Sequence, residues 1–321
     1  MAPSRRWISA VAALALTAAA AAGWRWASAD AALRYEAAIP APTWASEGPA
    51  VLIDNAHWNG GTGDGRLTAF AGLLAADGYR VLPGGNATRA ETLADARVGV
   101  VVNPLGVVGT VRRWGAAVGA GDWPSFDDDG LLSQEIETTA QWVENGGSLL
   151  LAVDPAPYAR GARGLAERLG VRLHDRLVVD VGHSDGPEPS RLLFSRENGL
   201  IGAHRILDGW PGAPPVNRVV VFGGLAMEPP ADGTILLRLS PSAAEVAHAG
   251  APPTAGRRVA GLALAVALER GRGRVVVLGD TELLTIERQS GVRPTGLSWP
   301  DTNNERFVRY VMRWLSRRDA R

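Results

Sequence analysis

The chain predicts an α/β fold with a mostly parallel sheet flanked by helices, and three observations carry that expectation. Between Val51 and Val102, short apolar runs alternate with amphipathic stretches, the β-α-β-α-β order that builds parallel sheets with right-handed crossovers. The runs end in polar, glycine-rich loops, where proteins of this class place ligands. Near the C-terminus, runs over 259–269 and 274–279 flank Arg270-Gly271-Arg272-Gly273, an antiparallel hairpin signal.

Each element has a local reason. Strand one, 51–54, ends in Asp54-Asn55-Ala56-His57-Trp58-Asn59 and a glycine-rich loop to Gly65. Leu67, Phe70, Ala71 and Leu74 then share one face of a helix over about 66–77, stopped by Gly78. Strand two covers 79–82. Thr88-Arg89-Ala90-Glu91 fits a capping box for a short helix, and strand three is 98–102. A long glycine-rich loop from Asn103 to Gly130 includes the acidic turn Asp127-Asp128-Asp129, and loops of that length are usually functional or mobile. A helix over 132–145, strand four at 148–153 ending in Asp154-Pro155, and a helix at about 160–169 follow. Short β-like runs at 176–181, 190–194, 218–223 and 234–239 make residues 171–250 a β-rich insertion or extension. Asp280-Thr281-Glu282 caps the second hairpin run. A helix over 303–316 presents Phe307, Val308, Val311, Met312 and Leu315 inward.

Composition excludes several function classes. Hydrophobic residues make up 46% and charged residues 21%, as in a globular chain. All 33 basic residues are Arg and balance 33 acids, so no basic excess marks a nucleic-acid surface. Cysteine is absent, which removes disulfides, thiol nucleophiles and thiolate metal sites. Arg5-Arg6, an uncharged stretch from Trp7 to Gly23 and Ala27-Ser28-Ala29 read as a signal peptide over 1–29, or as a membrane anchor if uncleaved. The chain is therefore expected to be extracytoplasmic, touching a membrane only through that segment. Residues 30–48 form a linker and 49–321 a single domain.

The candidate ligand-binding residues gather at expected strand ends. Asp54, Asn55, His57 and Asn59 close strand one, Asn103 strand three, Asp154 strand four, and Asp280 with Glu282 the late strand. Carboxylates with a histidine suit a divalent metal or general acid–base chemistry; the bland alternative is that Asp and Asn cap turns at such places. No catalytic residue, metal ligand or cofactor is assigned. Trp58, Trp114, Trp123 and Trp299 fall in loops and either stack on a ligand or plug the core. Gly60-Gly61-Thr62-Gly63-Asp64-Gly65 lacks the lysine of a nucleotide phosphate loop. Gly182-His183-Ser184-Asp185-Gly186 matches G-x-S-x-G, but Pro187 and Pro189 stand where a hydrolase elbow needs a helix.

Asp54-Asn55-Ala56-His57-Trp58-Asn59, Phe70…Asp77-Gly78-Tyr79, the run Gly271 to Asp280 and Asn303-Asn304…Phe307…Trp314-Leu315 together resemble a bacterial family of unknown function with the class I glutamine-amidotransferase-like fold, exported or membrane-anchored. More distantly, the chain is similar to auxiliary domains of gliding-motility transporters and to trehalose-utilisation-type proteins. The resemblance implies flavodoxin-like layering and an envelope or transporter-associated partner. Amidotransferases carry a cysteine on the elbow after a central strand, where this chain has Asn103-Pro104 or Asp154-Pro155, so glutaminase chemistry is excluded. Three functions remain: a non-catalytic domain binding a partner or a small polar ligand, a hydrolase on a carbohydrate-like substrate using Asp54 and His57 with Asp154 or Asp280, and a structural component of an envelope complex.

Overall fold

In the computed structural model, described for residues 37, 39–57, 59, 65–106, 130–248, 251, 252, 254, 256–286, 288, 289 and 293–316, the expected apolar runs become neighbouring strands. The strands are β1 (Ala50–Asp54), β2 (Arg80–Gly85), β3 (Val98–Val102), β4 (Ser148–Ala152), β5 (Arg172–Val179), β6 (Arg191–Ser195), β7 (Arg218–Phe222), β8 (Leu225–Glu228), β9 (Thr234–Arg238), β10 (Ala244–Val246), β11 (Arg257–Arg258), β12 (Ala263–Arg270) and β13 (Gly273–Leu278). The main sheet runs β11-β10-β5-β8-β12-β13-β4-β3-β1-β2, with β9 also paired to β12. Its parallel part is β2-β1-β3-β4-β13. β12 turns back on β13 with Leu268 opposite Val275, and from there the sheet continues antiparallel.

Side-chain alternation explains the layering. On β3, Val98, Val100 and Val102 face one core with Phe70, Leu73, Leu74, Phe307, Val308, Val311 and Leu315. Val101 joins Leu149, Leu151, Val275 and Val277 in a second core against Ile136, Val143, Ala162, Leu165 and Ala166. Helices Thr68–Ala76 and Asn304–Leu315 thus cover one face, and helices Ser133–Glu144 and Tyr158–Arg168 the other. Strands buried on both faces read as continuous apolar runs, which is why Val-Gly-Val-Val-Val was legible as parallel sheet. Burying one such Val or Leu side chain contributes about 1.5–3 kcal/mol.

Within residues 171–250, β5, β8, β9 and β10 extend the main sheet, while β6 and β7 form a separate antiparallel pair over the first core. One element differs from the expectation. The capping box at Thr88 does not form. The backbone N–H of Thr88 bonds the Asn86 side chain at 2.8 Å instead, and the helix is only Ala90–Leu93. Among the described residues, no helix is long and apolar enough to cross a membrane. The signal or anchor segment lies outside the described residues, as do Trp58, Trp114, Trp123, Gly60–Asp64 and the acidic turn at 127–129.

One close approach fixes the carboxyl edge. A Cβ at Gly161 would lie 1.7 Å from the Pro104 carbonyl oxygen, and the Gly161 carbonyl accepts the Gly130 N–H at 3.0 Å. Pro104 and Gly130 are thereby held against helix Tyr158–Arg168. Gly161→Ala is expected to lower stability by about 1–3 kcal/mol through overpacking, although Ala is the better helix former by about 1 kcal/mol. Chemical denaturation measures this; an unchanged or raised midpoint would show that Pro104 and Gly130 are not held there.

Candidate functional site

The chain leaves β1 toward β2 on one side and then returns to β3 on the other, so a crevice opens between the carboxyl ends of β1 and β3. Asp54 and His57 lie there. Asp54 is fully buried; its Oδ2 accepts from His57 Nδ1 at 2.8 Å and its Oδ1 from the Ala87 N–H at 2.9 Å. His57 Nε2 reaches Glu135 Oε1 at 3.1 Å. Glu135 Oε1 also accepts from the Asn86 amide at 3.1 Å, and its Oε2 from the Leu132 N–H at 2.9 Å. The His57 carbonyl accepts from Leu105 and Gly106, and Asn59 joins the His57 N–H to the Val102 carbonyl. These contacts fasten the post-β1 loop to the exits of β2 and β3 and to helix Ser133–Glu144.

An imidazole between two carboxylates donates at both nitrogens only as the cation. Burial opposes that charge on His57, but the hydrogen bonds and charges of Asp54 and Glu135 outweigh it and raise its pKa above 6.5. For Glu135, burial favours the neutral acid, yet the Leu132 N–H, Asn86 and His57 hold its carboxyl below the ordinary range.

A second cluster joins the ends of β3, β4 and β13. Asn103, at φ 44°, donates from Nδ2 to Asp154 Oδ2 at 2.7 Å and accepts the Asp154 N–H at 2.8 Å. Asp154 Oδ1 takes the Thr281 N–H at 2.8 Å and Oδ2 the Thr281 hydroxyl at 2.6 Å. Asp280 is buried behind them and accepts the N–H groups of Phe222, Glu282 and Leu283. Its burial, then the nearby Asp154 charge, push its pKa up to about 7 against those three donors. Glu282 opens a short turn, Glu282–Leu284, and gives its N–H to Asp280.

The predicted residues therefore form two clusters rather than one. Asn55 packs beside Gly84 and donates its N–H to the Gly85 carbonyl at 3.0 Å, a holding role at the β2 exit. Trp299 plugs the fold: it is buried, meets Phe222 edge-on at 5.2 Å, lies under the Arg191 guanidinium and donates to Asp185 at 2.6 Å. Asp185, from the G-x-S-x-G stretch, also binds Arg218, while Ser184 bonds the Gly186 carbonyl in a turn with no helix after it. Sequence reasoning missed Glu135 and Asn86. Glu135 sits in the first helical turn, where an acid reads as a cap, and nothing local marks its second partner.

Beyond β4 lies an open cleft of about 520 Å³ lined by Asp154, Tyr158, Asp175, Arg176 and His248 among others. The β5–β8 register slips between Leu173 and Leu177, a bulge that places Asp175 and Arg176 on the cleft wall. Among the described residues, no group of three or more His, Asp or Glu is arranged to hold a metal ion.

His57 carries a pH signature. Its raised native pKa makes a contribution to stability that is fully present below the unfolded value of about 6.5. That contribution is lost as pH rises through the native value. NMR titration of the His57 ring is expected to give a midpoint above 6.5, falling in Glu135→Gln. An unchanged midpoint in that variant would remove Glu135 from the pair.

No family model matches the sequence, and no curated protein matches it. Among solved structures, the mmIFT52 N-terminal domain is 14% identical, covering 83% of this chain and 97% of that one at a TM-score of 0.56, which shows a shared fold. A putative ThuA-like protein from Bacteroides uniformis is 14% identical over 88% of this chain and 95% of that one, TM-score 0.43. An exo-β-1,4-mannosidase from Opitutaceae bacterium strain TAV5 is 12% identical over 84% of this chain and 36% of that one, TM-score 0.39. Structural neighbours of this α/β fold thus include ThuA-like proteins.

Proposed function

We propose that the chain is an extracytoplasmic, non-catalytic binding domain that takes a small polar ligand in the cleft beyond β4. One observation carries this reading: the edge groups that would do chemistry are engaged internally, while the cleft beside them is open. Both oxygens of Asp54, Asp154 and Asp280 accept hydrogen bonds, and both nitrogens of His57 meet carboxylates. A general base needs a lone pair aimed at substrate. A positioning role needs the engagement seen here.

The cleft wall supports ligand binding. Its volume falls in the range of small-ligand sites, and Asp175, Arg176 and His248 bring an acceptor, a donor and a titratable ring to one surface. Hydroxyl-rich ligands suit such a mixture because each hydroxyl both donates and accepts. The extracytoplasmic assignment rests on Arg5-Arg6, the uncharged stretch 7–23 and Ala27-Ser28-Ala29.

A thermal-shift screen of sugars, sugar acids, metals and nucleotides tests the binding reading. A ligand at a hundred times its Kd stabilises by about 2.7 kcal/mol, so a rise of several degrees in Tm is expected for a hydroxyl-bearing ligand. That rise should vanish in His248→Ala. A screen without a shift would overturn the assignment, and so would conversion of the ligand to product by the purified chain. Fractionation of a tagged chain that leaves it in the cytoplasm would remove the export part alone.

A further inference from the structure

The search for sites away from the parallel edge leads to the antiparallel half of the sheet. A second cleft of about 650 Å³ opens there between helix Tyr158–Arg168 and the edge strands β5, β10 and β11. Its floor is a charge network centred on buried His174 and Glu245. His174 Nε2 meets Glu228 Oε1 at 3.0 Å, and its Nδ1 lies against Glu245. Arg257 makes a two-point contact with Glu245 Oε2 at 3.0 and 2.8 Å, and Arg172 binds Glu228 at 2.7 Å. The His174 hydrogen bond, then Arg172, hold the Glu228 carboxyl below its ordinary range. The carboxylates of the floor are thus matched by cations within the protein.

The walls are different. Arg163 and Arg176 line this cleft and make no ion pair or side-chain hydrogen bond among the described residues. Asp175 and Arg176 line the first cleft as well as the second, so the two clefts adjoin at the β5 bulge, and we read them together as one groove.

Building on the binding reading above, we propose that the groove takes an acidic oligosaccharide, with a hydroxyl-bearing unit in the first cleft and a carboxylate-bearing unit between Arg163 and Arg176 in the second. A guanidinium whose protein partner is missing is suited to a ligand carboxylate, because the fork-shaped pair forms without breaking an internal one. Along the same walls Asp175 and Glu167 offer acceptors to hydroxyls, which a sugar supplies. The groove lacks the net basic surface that a long phosphate polymer needs.

Calorimetric titration of the full chain with galacturonate, its dimer to tetramer, neutral cello-oligosaccharides of the same lengths, a hexaglutamate peptide and inorganic sulfate tests this. The acidic oligomers are expected to bind about two- to fivefold more tightly than the monomer, the scale of one added partly exposed charge pair. Arg163→Gln, on an exposed helix face, should remove that gain. Arg176→Gln, at a residue that lines both clefts, should weaken monomer and oligomer alike. A monomer that binds with no gain on lengthening overturns the second subsite and leaves the first-cleft reading standing. Absence of binding by every sugar overturns both. Equal gains from neutral oligomers or from hexaglutamate, or sulfate binding that depends on Arg163 without any oligomer gain, overturn the acidic-sugar assignment.

Discussion

A carboxylate taken out of water has to be met by donors, and this requirement governs the carboxyl edge of the parallel strands, in full for buried Asp54 and Asp280 and in part for half-buried Asp154. Asp54, Asp154 and Asp280 each lie at a strand end, and each is answered from segments distant in the chain. The donors come from the β2 exit, the β13 exit and β7. Unanswered, a buried charge of this kind costs several kcal/mol; answered, it ties together loops that share little apolar surface. The edge is therefore held by polar satisfaction, while the faces of the sheet are held by packing. Loss of a single donor can leave one carboxylate oxygen without its partner, so these positions tolerate substitution less well than their small size suggests.

Much of the fold was legible because buried parallel strands and amphipathic helices write their period directly into the sequence. β3 and β4 have every residue buried, and Gly78, at φ 88°, ends its helix as a left-handed glycine should. The misreadings come from competing local bonds and from distance. Asn86 captured Thr88, and so the capping box was lost. β8 and β10 are four and three residues long, too short for a period to show. At the site, the Asp54–His57 pair could be anticipated because three residues separate its members. Glu135 could not, since only the folded sheet brings it to the ring. Trp299 was read as a loop aromatic of either kind, and its partners Phe222, Arg191 and Asp185 decide for the plug.

The asparagines of the last helix illustrate how a motif can carry architecture. Asn304 is fully buried; its amide accepts the Val220 N–H at 3.0 Å and donates to the Val220 carbonyl at 2.9 Å, pairing with β7 as a strand would. Asn303 accepts the Asn217 N–H at 2.8 Å. Midway along the same helix, Arg309 binds the buried Asp77, which also receives Thr43. The first βα unit, the accessory β6–β7 pair and the C-terminal helix are thus one structural body joined by polar contacts at its corners.

The placement of β13 has a consequence for how the molecule is made. Ser148 on β4 pairs with Arg274, and Ala152 with Leu278, so the apolar edge of β4 has no partner until a strand far later in the chain has emerged. Until then β4 offers an unpaired edge beside three consecutive leucines. Such an edge is a template for pairing with a neighbouring chain. The β12–β13 hairpin, once formed, covers it.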